Sequence, residues 1–158
     1  MRKRRELRLA SGMESLRDIE VFSERISDEY FLNDSYFGNI LTCLTEAVKN
    51  AIVHGNRMNE RLSVFVLVEE KTEGLLFTVI DQGEGYDYEA MMKKGLDEGA
   101  GRGLAVIRAL ADGVVVQNEG RVISMLFRIH GIDRKVAESR ITLLEEYAKV
   151  IRKLEHKE

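Results

Sequence analysis

In the stretch LTEAVKNAIVHGN at positions 44–56, Glu46, Asn50 and His54 follow one another at four-residue steps. One turn of α-helix takes about 3.6 residues, so side chains four apart nearly superimpose and the three polar groups share a stripe. Around them, Leu41, Leu44, Ala47, Val48, Ala51 and Ile52 suit burial. Such a stripe serves solvent, a polar core network or a site. As a site, a carboxylate beside a neutral amide oxygen suits a hard cation that keeps several waters while phosphates bring the negative charge. Asn50 could hold Mg2+ directly, and Glu46 could take a proton from a nucleophile or orient a metal-bound water. His54 could cap the last carbonyls of the helix or reach a phosphate.

A second group is DQGEG at 81–85, directly after an apolar run. Gly83 and Gly85 let the backbone turn sharply and approach a ligand closely. Asp81, at the end of a strand, could accept from the exocyclic amino group of adenine. Guanine presents a carbonyl there, which would leave acceptor facing acceptor. The same residues also make an ordinary D-x-G turn that requires no ligand. A third group, GAGRG at 99–103, opens a helix expected to begin near Leu104. Free N–H groups and the positive end of the helix dipole favour phosphate there, and Arg102 adds a mobile charge. A flexible loop is the alternative.

The elements that must position these groups can be read from the rest of the chain. Its 158 residues carry a net charge of −3, enough for one domain with a core and no global argument for nucleic-acid or anionic-membrane binding. The single Cys43 rules out an intramolecular disulfide framework and reads as a small core residue. No apolar run approaches the roughly 20 residues of a membrane span, and a cytoplasmic protein is expected. RKRR at 2–5 reads as a solvated basic end. RRELRLASG alternates as a first strand, a helix follows to about Tyr30, residues 31–37 read as loop, and the motif helix spans roughly 38–54. Runs at 61–70 and 74–81 form a hairpin, a helical turn lies near 88–94, a helix at 104–112, strands at 114–117 and 121–129, and a final helix at 132–156. This order predicts an α/β (α+β) chain built as a two-layer α/β sandwich: a mixed, mostly antiparallel sheet with helices on one face. The expected division is a domain over 1–131 and an amphipathic helix over 132–158. In that helix Val136, Leu143, Tyr147, Val150 and Leu154 are spaced nearly as heptads, open to its own sheet, a dimer or a partner.

An E-x-x-x-N helix, a strand ending in D-x-G-x-G and a G-x-G-x-G-L helix opening, in that order, resemble the three motif boxes of the GHKL (Bergerat-fold) ATPase superfamily. More closely the chain resembles small bacterial anti-sigma-factor serine/threonine kinases, in LTEAVKNAIVHGN, FTVIDQGEGYD and GRGLAVIRALADGVVV. The resemblance covers roughly residues 6–130. It implies that Glu46 is the catalytic base, that Asn50 binds Mg2+ and that Asp81 holds adenine. Gly83 and Gly85 would shape the pocket for ATP or ADP, and Gly101, Arg102, Gly103 and Leu104 would belong to the lid over the phosphates. Ser124 stands nearest to the threonine that the family often uses beside adenine. The implied partners are a sigma factor and a STAS-domain anti-anti-sigma protein, with a homodimer also open and no nucleic acid or membrane. The only histidines are His54, His130 and His156, so no acceptor histidine precedes the motif helix and a sensor histidine kinase is not expected. The length leaves no room for the second domain of gyrase, Hsp90 or MutL types. A catalytically silent ATP/ADP-binding regulatory module is the alternative to a kinase.

Overall fold

Alternating charged and apolar residues form strand β1 (Arg4–Ala10), whose Leu9 is buried against the helices. The structure, a computed structural model, describes residues 3–93, 99–129 and 134–156. The basic run is not a loose end. Lys3 and Arg5 both pair with Glu29, at 2.9 and 2.5 Å, and Arg4 lies 3.9 Å from Glu69. A 3-10 turn at Met13–Ser15 leads into α1 (Leu16–Tyr30), which stops where Phe31 turns left-handed at φ 53°. The motif helix, α2 (Asp34–Asn50), starts earlier than the sequence reading placed it. Asn33 explains the difference: its side-chain oxygen accepts the Tyr36 N–H at 3.0 Å and caps the first turn.

Strands β2 (Ser63–Lys71) and β3 (Gly74–Ile80) form the first hairpin, and β4 (Gly113–Gln117) and β5 (Val122–Arg128) the second. Between them lie α3 (Tyr88–Lys93) and α4 (Gly99–Leu110), and α5 (Arg134–Glu155) ends the fold. The sheet runs β1-β2-β3-β5-β4, and every pairing between described strands is antiparallel. The mixed sheet expected from the sequence is therefore corrected. The crossover through α3 and α4 does return β4 in the direction of β3, but β5 inserts between them and makes both contacts antiparallel.

One sheet face carries Val64, Val66, Leu75, Phe77, Val79, Ile123 and Met125 against Ile19, Ile40, Leu44, Ile52, Leu104 and Ile107 from the helices, all buried. Phe77 and Phe127 meet edge to face at 5.7 Å across β3 and β5. Cys43 is buried in this core, as expected of it. The boundary expected at 131/132 and His130 lie outside the described residues. No described helix is long and apolar enough to cross a membrane.

Candidate nucleotide site

Helix α2 buries one flank and turns Glu46 and Asn50 toward α4. Asn50 is buried, and its Nδ2 has no hydrogen-bond partner among the described residues. A buried amide left without a partner costs about 1–3 kcal/mol, so the atom marks a place where a polar group is missing. Amide oxygen and nitrogen assignments are interchangeable in such a side chain. With the two exchanged, the unpartnered atom is the carbonyl oxygen that a cation requires. The neighbour is Gly103. A Cβ built on Gly103 would stand 2.6 Å from Glu46 Oε2 and 3.3 Å from Asn50 Nδ2. A side chain at this position would push the Glu46 carboxylate aside, and glycine leaves the pair where it stands.

The glycine segment is not the loop that the sequence reading left open. Gly101, Arg102 and Gly103 already belong to α4, which begins at Gly99. Bare glycine positions permit close helix packing on α2, and that contact offsets their poor helix propensity. Leu104 therefore lies inside the helix rather than at its opening. Arg102 is exposed, while Gly101 and Gly103 are buried. Leu104 is a core residue, 1% exposed, and so stands in the core rather than in the cleft.

Past Asn50 the helix changes form. Ala51–Gly55 make a π-helical turn, closed by the Asn56 N–H on the Ala51 carbonyl at 2.7 Å. Turns of this kind occur as insertions in α-helices, frequently at functional sites. The wider turn takes His54 off the line that an uninterrupted α-helix would have given it. It also delivers Gly55 under Asp81, where an added Cβ would meet the carboxylate at 2.3 Å from Oδ2. Gly83 packs from the other side: its Cβ would stand 1.9 Å from the Gly55 carbonyl oxygen. Gly85 takes φ +90°, a conformation that only glycine adopts without strain.

Asp81 is 5% exposed, and the Gly83 N–H donates to its Oδ1 at 2.9 Å. Burial raises its carboxyl above the usual carboxylate range, and the Gly83 N–H and the Arg121 charge only partly oppose this. On the same helix flank, burial pushes the Cys43 thiol up to about 12, with the Glu46 carboxylate adding to the effect. Asn56, just past the helix expected over 38–54, proves to be the hub of this end. Its Nδ2 donates to Ser11 Oγ at 2.8 Å and to the Ser63 carbonyl at 3.0 Å, and its Oδ1 accepts the Gln82 N–H at 2.8 Å. Gln82 Oε1 in turn accepts the Ser63 N–H at 2.6 Å. The bonds tie the loop carrying Asp81 to β1, β2 and the π-turn. Nothing in the local sequence marks Asn56, because its partners lie up to 45 residues away.

Ser124 is not brought to this group. Strand alternation turns it, with Thr78, to the face of the sheet opposite the helices. The two hydroxyls are 3.2 Å apart there, and Ser124 lines a groove with Lys71, Glu73 and Leu76. Its helix-facing neighbours Ile123 and Met125 are apolar and buried. A groove of about 580 Å³ beside Gly85, between the 84–89 segment and the turn after β4, is lined by Glu84, Asp87, Glu89 and Glu119, an acidic surface unsuited to phosphate.

One helix thus joins an acid–amide pair under a glycine helix to a strand-end aspartate seated on glycine, all on the helix-covered side of an open antiparallel sheet. That arrangement defines a GHKL-type ATPase domain. Residues 9–127 match the histidine kinase-like ATPase domain, and the chain belongs to that family of ATP-using domains. No curated protein matches the sequence closely enough to stand as a relative.

The family implies Mg2+ with the nucleotide, and the residues fit it. Asn50 offers a buried amide with one unpartnered atom beside Glu46. Among the described residues no three His, Cys, Asp or Glu side chains converge as a metal cage. A cation that relies on one amide, phosphates and water needs no cage.

Proposed function

We propose that this chain is an ATP-dependent serine/threonine protein kinase of the anti-sigma-factor type, which phosphorylates a STAS-type antagonist and binds a sigma factor. The observation that carries the reading is the unpartnered Asn50 amide beside Glu46 beneath Gly103, on the helix whose far end seats Asp81. Asp81 Oδ1 is taken by the Gly83 N–H, which leaves Oδ2 to accept from the adenine amino group. The exposed Arg102 would supply positive charge to the phosphates. Glu46 accepts the proton of the partner's hydroxyl as its oxygen bonds to the γ-phosphorus, the β–γ bridging bond breaks, and ADP leaves. Asn50 would hold Mg2+, which supplies neutralisation of the phosphate charge when bound.

Two measurements test this. Calorimetric titration should give adenine-selective, Mg2+-dependent binding that Asn50→Ala abolishes; equal affinity for GTP contradicts the role of Asp81. With ATP and a STAS-domain partner, phosphoserine or phosphothreonine should form, and Glu46→Ala should stop transfer while ATP still binds. Tight partner binding without phosphorylation in the wild type would replace the kinase by a nucleotide-dependent binding module.

A further inference from the structure

The ATPase fold leaves α5 unexplained. Leu143, Leu144, Tyr147, Val150, Ile151 and Leu154 are all exposed, from 38% at Ile151 to 67% at Leu144. Among the described residues nothing covers them. Their spacing puts Leu143, Tyr147, Val150 and Leu154 on a seam of alternating four- and three-residue steps, with Leu144 and Ile151 along one side and Glu146 and Lys153 along the other.

We propose that α5 pairs antiparallel with α5 of a second copy of this chain. Charge and register select that occupant. In an antiparallel pair, flanking positions meet their own kind: Glu146 faces Lys153 of the second copy and Lys153 faces its Glu146. Leu144 then meets Ile151 on the other flank. In the same register Tyr147 packs on Val150 and Leu143 on Leu154 of the second copy, each contact made twice by symmetry. Sliding the pair by a heptad sets Glu146 against Glu146. A parallel pair places Glu146 over Ile151, a charge against an apolar side chain. Only the first arrangement matches every one of these eight side chains with a partner of its own chemistry. It sends the two ATPase domains to opposite ends of the helix pair.

Sedimentation equilibrium of the full chain tests this. The mass should be twice 18.0 kDa and should return to 18.0 kDa for Leu143→Glu, with the ATPase domain still folded by circular dichroism. Glu146→Lys and Lys153→Glu should each weaken the dimer about tenfold, and the two together should restore it. A mixture of the Tyr147→Cys and Val150→Cys chains should form the mixed disulfide, since Cys43 is buried and takes no part. A monomeric wild type overturns the proposal, even if a different protein then occupies the helix. So does a dimer indifferent to Leu143→Glu, a double charge swap that fails to restore pairing, or a Tyr147→Cys chain that links mainly to itself.

Discussion

Asp81 is held by forces that oppose one another. Its burial disfavours the charge, while the Gly83 N–H and Arg121 favour it, and burial prevails. A carboxyl whose folded value lies above its unfolded one stabilises the fold at low pH, and this contribution is lost as pH rises through the folded value. On the alkaline side of the folded value the ionised side chain therefore weakens the fold, and Asp81→Asn should raise the melting temperature there. The gain should vanish as pH falls below the folded value, which thermal unfolding across pH 4 to 8 would read. The same substitution should damage binding. If the new oxygen keeps the Gly83 N–H, the amide nitrogen faces the adenine amino group, donor against donor. Affinity for ATP should drop about 10- to 150-fold and inosine triphosphate, which carries a carbonyl there, should be preferred. An Asp81→Asn chain that binds ATP unchanged would remove Asp81 from the adenine site.

At the scale of elements, the site depends on backbones that approach where side chains would not fit. The Gly103 position is α-helical, so alanine there gains helix propensity of up to about 1 kcal/mol. Its Cβ, however, would displace the flexible end of Glu46. Gly103→Ala should keep or raise the melting temperature while lowering Mg2+-ATP affinity, a separation visible by running both assays on one sample. Gly83→Ala differs in kind, because its Cβ would strike the Gly55 backbone carbonyl, which cannot swing aside. It should destabilise the fold outright. Asn56→Ala should cost roughly 2–4 kcal/mol in urea unfolding, since it removes the partner of the Gln82 N–H and of the Ser63 carbonyl and one of the two bonds of the Ser11 hydroxyl at once. The expected motif helix was legible in its apolar period, but its start and its end were not. Asn33 acts as a cap rather than a loop residue, and the π-turn at Ala51–Gly55 follows from packing against the Asp81 loop.

For the molecule as a whole, a ligand that binds only the folded state raises its stability by about 2.7 kcal/mol at a hundred times the dissociation constant. In a domain of this size that corresponds to a melting shift of about 5–10 °C. ATP with Mg2+ should produce it in a thermal scan, and GTP at equal concentration should not. A comparable shift with both nucleotides would place recognition on the phosphates alone. Acid should act elsewhere as well. Burial raises Glu29, but hydrogen bonds from Lys3 and Arg5 outweigh it and leave the carboxyl below its usual range. Its share of stability is present at neutral pH and is lost as pH falls through the folded value, when the ties of β1 to α1 open.

The order of elements, the core face of each and the shared stripe of Glu46 and Asn50 on the motif helix were written in local periodicity and spacing, because side-chain direction in helices and strands repeats with a fixed period. The match of Gly103 to the acid–amide pair, the seat of Asp81 on Gly55 and the hub at Asn56 were decided only by the fold, since each joins residues far apart in the chain at contact distance. Ser124 shows the limit most plainly. Its type suited the site, but the register with β3 turned it to the opposite face, and a single residue of register decides the face of every side chain in a strand.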